Sequence, residues 1–445
     1  MKSFRDAIVI IDPVTEWKPV VEAVGNTFSA VCITVQLSPI SKKMKPFFPT
    51  VSMLEKAGVS YVIDRQDRDV YGCVQALKLL EQKAEMKINA VIPLSETAVD
   101  FSDTITALLG LRNHNTLETV ICKRDKGFMK DAVQSTGLQI AKFARLRDVE
   151  QLQSAVDSLA LSFPVVIKTP QGFSTTDVYI CGDLKTAEEA TLRVLSNVGP
   201  DARAASCALL EEYIGGTEFA VNLMACCADK LMVTDVWKYR KTQEARYQDA
   251  EMCIPSDPKL AQIIAYAKGV TKAVGVQYGA AHVEVKANYD KDSGSYVNPV
   301  MMEVGARLSG GRKATMVHAA YEGQWNPFDA LIQSHLGQLK EIDLGSSYPL
   351  YVRHLFLPIE RAGRIRRIES VLVDEGNSES IGAPGTLSTL NFYVMLVKEG
   401  DYVKESTDIT SCAGFVWLVG DKVTVDKEAD IILSSFKIEL ENRNK

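Results

Sequence analysis

The stretch that decides the fold is a pair of apolar segments, AHVEVKANYD at residues 281–290 and YVNPVMMEVGARL at residues 296–308. A turn at Asp292–Gly294 separates them, so we predict an antiparallel hairpin. Each arm carries one carboxylate, Glu284 on the first and Glu303 on the second. Two carboxylates on neighbouring strands repel each other unless a cation lies between them. Oxygen ligands suit Mg²⁺ or Mn²⁺, so the hairpin predicts a metal site beside nucleotide phosphates, unless one carboxylate faces solvent.

A lysine also lies at the end of an apolar strand. Residues 163–168, FPVVIK, end in Lys168, and the loop TPQGFSTTD follows. Lysine is rarely buried without a partner. An ammonium beside a loop rich in Gly, Ser and Thr can bind a phosphate that the loop N–H groups also contact. The residues leave open a second interpretation, a lysine whose stem is buried and whose ammonium reaches water.

Further charged residues flank two glycine-containing turns. Glu211, Glu212 and Glu218 surround Gly215–Gly216. A carboxylate there could accept hydrogen bonds from ribose hydroxyls, and a solvated hairpin end explains the same residues equally well. After Glu303, residues 307–313 form a basic turn that suits a carboxylate or a phosphate.

The N-terminal region alternates strand and helix patterns. Apolar runs predict strands, and helical spacing of apolar residues predicts helices between them. The strands are expected at 7–11, 30–35, 60–63 and 89–94, and the helices at 16–24, 49–57 and 70–86. This alternation predicts a doubly wound parallel sheet. No GxGxxG follows any of these strands, so the usual dinucleotide signature is missing.

The rest of the chain predicts two further units. A length of 445 residues suggests about three domains, which we place at 1–120, 121–340 (with a smaller unit at about 148–215) and 341–445. Asp125 is expected to cap a helix over 125–136. Residues 237–252 lack a clear apolar period and predict a long loop, such as a lid. The last unit is rich in strand signals and ends in a helix expected over 426–440.

Composition narrows the class of protein. Lys and Arg number 50 against 56 Asp and Glu, a net charge of −6, which argues against a general nucleic-acid binder. No apolar stretch reaches the roughly 18 residues of a membrane span, and the N-terminal apolar run predicts a strand instead of a signal peptide. The nine cysteines include no CxxC pair. We therefore expect a reduced, cytoplasmic protein without a zinc site or membrane contact.

Common catalytic motifs are missing from the sequence. It contains no GxxxxGK[ST], GxSxG or HExxH. Four of the five histidines stand without a matching Cys or carboxylate cluster, which predicts structural or surface roles for them. These four are His114, His318, His335 and His354.

In their order along the chain, the charged segments resemble those of the ATP-grasp superfamily, most closely the L-amino-acid ligase (dipeptide synthetase) branch. The resemblance covers nearly the whole chain and centres on residues 121–313. Its segments are RDKGFMKDAVQSTGLQIAKF, FPVVIKTPQGFSTTDV, LLEEYIGGTEF, EARY, HVEVK and MMEVGARLSGG. It implies an ATP-grasp fold with an N-terminal doubly wound parallel-sheet domain, central ATP-grasp domains and a β-rich C-terminal domain. Gly305 departs from the asparagine that many members carry after the second metal glutamate.

The resemblance also implies site residues. The nucleotide-binding set is Lys126, Lys168, Ser174, Glu211, Glu212, Tyr213, Ile214 and Glu218. In it the lysines contact phosphates, residues 211–214 border adenine and Glu218 binds the ribose. Glu284 and Glu303 become ligands of Mg²⁺ or Mn²⁺.

Catalytic and substrate residues follow in the same way. Arg307 with His282 is implied to stabilise a developing oxyanion, a task typically worth about 3 kcal/mol per donor, and Arg246 to reach the γ-phosphate from a lid. The implied substrate contacts are Glu96, Ser309 and Gly310. For Glu96, a carboxylate at the N-terminus of a helix is the simpler explanation.

The implied activity is ligation. An ATP-grasp carboxylate–amine ligase forms an amide between an amino-acid carboxylate and an amine through an acylphosphate, and releases ADP and phosphate. The alternatives are a biotin-type ATP-dependent carboxylase and a non-catalytic nucleotide-binding protein. The expected partners are ATP and small acid and amine substrates. A homodimer is compatible with the sequence, which fixes neither the oligomeric state nor the two substrates.

Overall fold

The computed structural model describes residues 4–38, 48–172, 177–197, 205–227, 230–241, 247–342, 344, 348–372, 379–381, 387–406 and 411–441. Within these ranges no helix combines the length and apolar character that crossing a membrane requires.

The N-terminal unit is the predicted parallel sheet. Its elements are β1 (Arg5–Ile11), α1 (Trp17–Asn26), β2 (Val31–Gln36), α2 (Val51–Lys56), β3 (Tyr61–Asp64), α3 (Val70–Lys83), β4 (Met86–Pro93) and α4 (Val99–Leu108). The strand order is β3-β2-β1-β4, and all pairs are parallel. The predicted strands and helices are confirmed to within a few residues, because five of the seven β1 residues are buried between the flanking helices. Glu96 follows β4 in a short 3₁₀ turn at the carboxyl edge of this sheet.

A small antiparallel sheet comes next. Its elements are α5 (Lys126–Ser135), β5 (Phe143–Leu146), α6 (Gln151–Ser158), β6 (Val165–Lys168), β7 (Val178–Cys181), α7 (Leu184–Ser196) and β8 (Ala208–Glu212). The strand order is β5-β8-β6-β7. The Asp125 cap is confirmed, because its side chain accepts hydrogen bonds from the backbone N–H groups of Gly127 and Phe128. This cap fixes the start of α5, and with it Lys126.

A nine-stranded sheet forms the centre of the molecule. It uses β9 (Thr217–Cys227), β10 (Lys230–Lys241), β11 (Tyr247–Cys253), β12 (Gly279–Asp290), β13 (Ser295–Gly305), β14 (Tyr351–Leu357), β16 (Glu379–Ile381), β17 (Leu390–Met395) and β19 (Gly414–Gly420). Their order is β13-β12-β9-β10-β11-β14-β19-β17-β16. The sheet therefore continues across residue 340, where we predict a domain boundary.

The remaining elements cover this sheet or extend it. They are α8 (Ala261–Ala273), α9 (Lys313–Ala320), α10 (Pro327–His335), β15 (Gly363–Glu369), β18 (Tyr402–Val403), α11 (Lys422–Ser435) and β20 (Lys437–Leu440). Strands β18, β15 and β20 form a separate small sheet.

The prediction of a long loop over 237–252 is wrong. Most of this segment lies in the β10–β11 hairpin. Trp237 and Tyr239 are buried on alternate positions, as in any half-buried strand. The polar residues that hid the period are paired: the Asp249 carboxylate lies 2.7 Å from Arg240 and 2.9 Å from Arg353. The sequence pattern does not reveal a polar strand of this kind, because the ion pairs that allow its charged residues to be buried form only in the folded structure.

The closing helix is also shifted from its prediction. It begins at Lys422, capped by the Asp421 side chain, and ends at Ser435. Residues 437–440 form β20 and pair with β15 instead of continuing the helix.

A buried carboxylate joins α11 to the start of β17. Glu428 accepts hydrogen bonds from the backbone N–H and the hydroxyl of both Ser388 and Thr389. Burial alone would raise the pKa of Glu428, but these donors hold that pKa below its ordinary value. The carboxylate therefore stabilises the C-terminal unit mainly in its ionised form.

We predict that Glu428→Gln lowers the free energy of unfolding by about 1.5–3 kcal/mol near pH 7, because hydrogen bonds to a charged acceptor are lost. A lowered pKa stabilises the fold above the unfolded value and loses this effect as pH falls through the folded value. Urea denaturation should therefore show the full difference at pH 7 and a progressively smaller difference as the pH falls below about 4. The control is Glu439→Gln, whose ion pair with Arg366 is exposed and should matter by less than about 1 kcal/mol. Equal effects of both substitutions would contradict this role of Glu428.

Candidate active site

The two hairpin carboxylates lie directly opposite each other. Strands β12 and β13 are antiparallel, as predicted, and their register pairs Glu284 with Glu303. Residues directly opposite on neighbouring antiparallel strands project from the same face of a sheet. Both side chains are partly exposed. The sheet thus presents two carboxylates to one cleft.

Lys126 links Glu303 to the glycine-containing loop. Its Nζ lies 3.0 Å from Glu303 Oε1 and donates a hydrogen bond of 2.7 Å to the Gly172 carbonyl oxygen. Its backbone N–H also donates to the Pro170 carbonyl oxygen. One buried ammonium therefore joins α5, the hairpin and the loop after β6.

Glu284 lies at the end of a chain of hydrogen bonds whose other members are buried. His282 Nε2 lies 3.3 Å from Glu284 Oε1, and His282 Nδ1 lies 2.7 Å from Asn222 Oδ1. The Asn222 amide donates to Asp235, which also accepts from Trp237 Nε1. Since the Asn222 nitrogen faces Asp235, its oxygen faces His282, and Nδ1 donates to it.

The cations around Glu284 keep it ionised. Burial would raise its pKa, but the hydrogen bond from His282 and the charges of His282, Lys313 and Arg307 lower the pKa to about 2. These cations offset the expected repulsion between the two carboxylates. Lys126 is the cation that pairs with Glu303.

A second cluster consists of two lysines around one glutamate. Glu211 Oε1 lies 3.0 Å from Lys168 Nζ, and Glu211 Oε2 lies 3.2 Å from Lys130 Nζ. Burial would raise the pKa of Glu211, yet the two ammonium groups lower it. Burial and the like charge of Lys168 outweigh Glu211 and lower the pKa of Lys130 to about 8.

The sequence analysis did not single out Lys130. The available signal was its spacing, since it stands four residues after Lys126 and so lies on the same face of α5. The partners also sharpen the prediction for Glu211. Its carboxylate contacts the two lysines, so the structure brings it to the phosphate-side residues of the predicted set.

Residues 213–215, which follow β8 and which we call the hinge, border a cavity. Tyr213, Ile214 and Gly215 line a space of about 340 Å³ together with Lys286 and residues of β12 and β13. Lys286 Nζ donates to the Ile214 carbonyl oxygen (3.0 Å) and lies 5.1 Å from the centre of the Tyr213 ring. Half-buried Glu212 accepts from the Lys142 backbone N–H. The cavity has the aromatic face and the polar edge that a nucleotide base requires.

Glu218 lies opposite Lys286, a residue of this cavity, in the pairing of β9 with β12. Its carboxylate accepts a hydrogen bond of 2.7 Å from the Tyr247 hydroxyl and pairs with Lys241 at 2.9 Å. Both partners belong to the β10–β11 hairpin, at the residues that flank 242–246. Glu218 thus connects the hinge to the hairpin.

Arg307 is held by the N-terminal unit. Its Nε lies 2.8 Å from Glu96 Oε2, and Arg124 lies 3.4 Å from the other oxygen of Glu96. Gly305 makes this approach possible, because a methyl group there would lie 3.1 Å from Glu96 Oε2. Glu96 thus orients Arg307. This contact explains the burial of the Glu96 carboxylate better than the alternative of a charge at a helix N-terminus does.

The remaining predicted residues fall into two groups. Ser309 is buried and Gly310 is partly exposed, and both lie on the loop between Arg307 and α9. Ser174 and Arg246 lie outside the described residues, as does most of the segment GFSTTD.

The donor set fits a metal that is carried by a nucleotide. Within the described ranges, no group of three or more His, Cys, Asp or Glu side chains is placed to hold an ion. Mg²⁺ usually binds through one or two carboxylates and completes its shell with phosphate oxygens and water. Glu284 and Glu303 supply those two carboxylates beside the lysine clusters.

Comparisons with known proteins identify a domain and a relative of this chain. Residues 161–313 match the model of an ATP-grasp domain. The dapdiamide A synthase of Enterobacter agglomerans is 28% identical over 313 residues, which are 69% of this chain and 68% of that protein.

Solved structures share the fold over nearly the whole chain. An L-amino acid ligase from Bacillus licheniformis superposes with a TM-score of 0.71 at 17% identity, covering 99% of this chain and 100% of that one. The biotin carboxylase domain of a Hydrogenobacter thermophilus 2-oxoglutarate carboxylase, solved with MgADP, gives 0.62 at 13% identity, covering 99% and 91%. The predicted fold and the resemblance are confirmed: residues 161–313 form an ATP-grasp domain, and the chain has the fold of an L-amino acid ligase.

Proposed function

We propose that this protein is an ATP-dependent ligase that joins the carboxylate of one amino acid or related acid to the amine of a second substrate, releasing ADP and phosphate. The observation that carries the proposal is the meeting of Glu284, Glu303 and Lys126 in one cleft, with Arg307 beside Glu284. The likeness to a dapdiamide A synthase and to an L-amino acid ligase supports amide formation as the reaction.

Amide formation requires a leaving group on the acid. In the proposed reaction a carboxylate oxygen attacks the γ-phosphorus of ATP, ADP departs, and an acylphosphate forms. The amine then attacks the acyl carbon, phosphate leaves with the original carboxylate oxygen, and the nitrogen loses a proton. Both transfers depend on positioning and on neutralised charge more than on covalent help from the protein.

Each cluster has a place in this scheme. Lys126 and Lys168 would bind the phosphates of ATP, and the Tyr213–Gly215 hinge would hold the base with Glu218 at the ribose. Glu284 and Glu303 would hold Mg²⁺, which neutralises phosphate charge when it is bound. Arg307, oriented by Glu96, would face the acyl oxygen, with His282 behind Glu284. Lys130 keeps Glu211, and through it Lys168, in place.

A substrate matrix tests the proposal. Purified protein, ATP and Mg²⁺ would be incubated with pairs of amino acids and related carboxylates, while phosphate release and product mass are recorded. We expect strong phosphate release only when both an acid and an amine are present, a product that weighs their sum less one water, and no activity with EDTA. Phosphate release that depends on bicarbonate and biotin would favour a carboxylase instead. AMP with pyrophosphate would rule out an acylphosphate made by γ-phosphoryl transfer.

We also predict that Lys126→Ala and Lys168→Ala each weaken binding of a non-hydrolysable ATP analogue by about 10- to 100-fold, because a desolvated charge-assisted contact is lost. Glu211 retains Lys130 in the second variant, so that protein should stay folded. Isothermal titration calorimetry measures the affinity, and circular dichroism checks the fold. Lys272→Ala, an exposed change on α8, is the control. Wild-type affinity in both lysine variants would contradict the phosphate assignment.

A further inference from the structure

One buried lysine differs from all the others near the site. Lys313 begins α9, six residues after Arg307, and its side chain is only 6% exposed. Across the described ranges it makes no ion pair and donates no hydrogen bond. Other buried lysines have a carboxylate oxygen within 3.2 Å. These pairs are Lys123–Asp103, Lys126–Glu303, Lys130–Glu211 and Lys168–Glu211.

The surroundings of Lys313 offer no full compensation for its burial. Its Nζ lies 5.8 Å from the centre of the Trp237 ring and 5.6 Å from that of Tyr239. Cation–π contacts at such distances repay only part of the hydration that a buried ammonium loses. Burial accordingly lowers the pKa of Lys313 to about 8, although Glu284, Asp235 and Glu16 oppose the shift.

A second polar side chain in this region also lacks a partner. His354 is buried, and neither of its ring nitrogens makes a hydrogen bond within the described ranges. Its ring stacks on Trp417 with centroids 3.3 Å apart. A methyl group at Gly311 would lie 3.7 Å from His354 and 3.9 Å from Lys313 Nζ, so this glycine borders both. Burial and the charge of Lys313 lower the pKa of His354, which is therefore neutral.

Lys313 also lies near the carboxylate pair of the proposed reaction centre. The strand register pairs Trp237 with Ala220 and Ala220 with Glu284, so these residues share one face of the sheet. Lys313, close to the Trp237 ring, therefore lies on the face that carries Glu284. Lys126 and Lys168 lie on α5 and β6 instead, next to Glu303 and Glu211. Lys313 is thus a further cation of the cleft, separate from both the Lys126–Glu303 pair and the cluster of Lys130 and Lys168 around Glu211.

We propose that Lys313 binds the free α-carboxylate of the amine-donating substrate. The assignment rests on the proposed ligase function. The reacting carboxylate loses its charge when the amide forms, and Arg307 already faces it. An amino acid that serves as the amine donor keeps its own carboxylate charged throughout the reaction. This carboxylate can therefore pair with the Lys313 ammonium, which lacks a partner in the described part of the protein. The protein would then select α-amino acids over simple amines.

The test compares amino acids with their α-carboxamides as amine donors. Wild type, Lys313→Met and Lys313→Arg would be supplied with ATP, Mg²⁺ and the twenty proteinogenic amino acids as acids, and with each amino acid or its carboxamide as amine. Hydroxylamine, an amine without a carboxylate, would trap acylphosphate as hydroxamate. We expect wild type to prefer the carboxylate form in kcat/KM, and Lys313→Met to reduce that preference by about 10- to 100-fold. Lys313→Arg should restore part of it.

Two further results of the same experiment decide between the possible roles of Lys313. Hydroxamate formation should fall less than peptide formation in Lys313→Met, and an equal fall would overturn the assignment, because Lys313 would then act on the acid or on ATP. An unchanged carboxylate preference would overturn it as well. If wild type forms neither hydroxamate nor peptide, the ligase proposal itself fails, and the assignment fails with it.

Stability provides the matched control. Lys313→Met removes a charge without leaving a carboxylate unpaired, so the melting temperature should not fall. Lys123→Met strands buried Asp103 and should lower it. If Lys313→Met melts as low as Lys123→Met, Lys313 is a structural cation and the assignment is wrong.

Discussion

The ion pair between Lys126 and Glu303 is the contact on which the organisation of the site depends. It connects helix α5, the loop that carries Gly172 and the β12–β13 hairpin through one buried ammonium. A buried charge that loses its partner is costly, so these three elements are held together. When a magnesium nucleotide binds, its phosphates would take the place of Glu303 beside Lys126. The metal would take the place of Lys126 beside Glu303.

The N-terminal unit controls the loop that follows the hairpin. Glu96 holds Arg307 at one end of this loop, and Glu16 accepts hydrogen bonds from the backbone N–H and the hydroxyl of Thr315 at the other. Both carboxylates therefore fix the segment that carries Arg307 and Lys313. A sheet without a dinucleotide signature thus positions residues of the proposed active site, whose carboxylates lie on a different sheet.

Local patterns were enough to predict much of this structure. The period-two runs of β12 and β13 and their turn predicted the hairpin. The pairing of Glu284 with Glu303 did not follow from them, because it depends on two register shifts between the turn and the glutamates. The strands and helices of the N-terminal unit also followed from apolar spacing. The β10–β11 hairpin escaped because its alternate polar residues are satisfied by partners such as Arg353, which is distant in sequence. Neither the role of Lys130 nor the lack of a partner for Lys313 could be predicted, since burial and pairing are properties of the folded chain.

Transfer of oxygen from the acid to phosphate tests the central claim most directly. The acid that gives the strongest phosphate release would be labelled with ¹⁸O in its carboxylate, and the products of one reaction would be analysed by mass spectrometry. An acylphosphate formed from γ-phosphate and broken by the amine requires one ¹⁸O atom in the inorganic phosphate and one in the amide. Unlabelled phosphate, or label found in AMP, would contradict it.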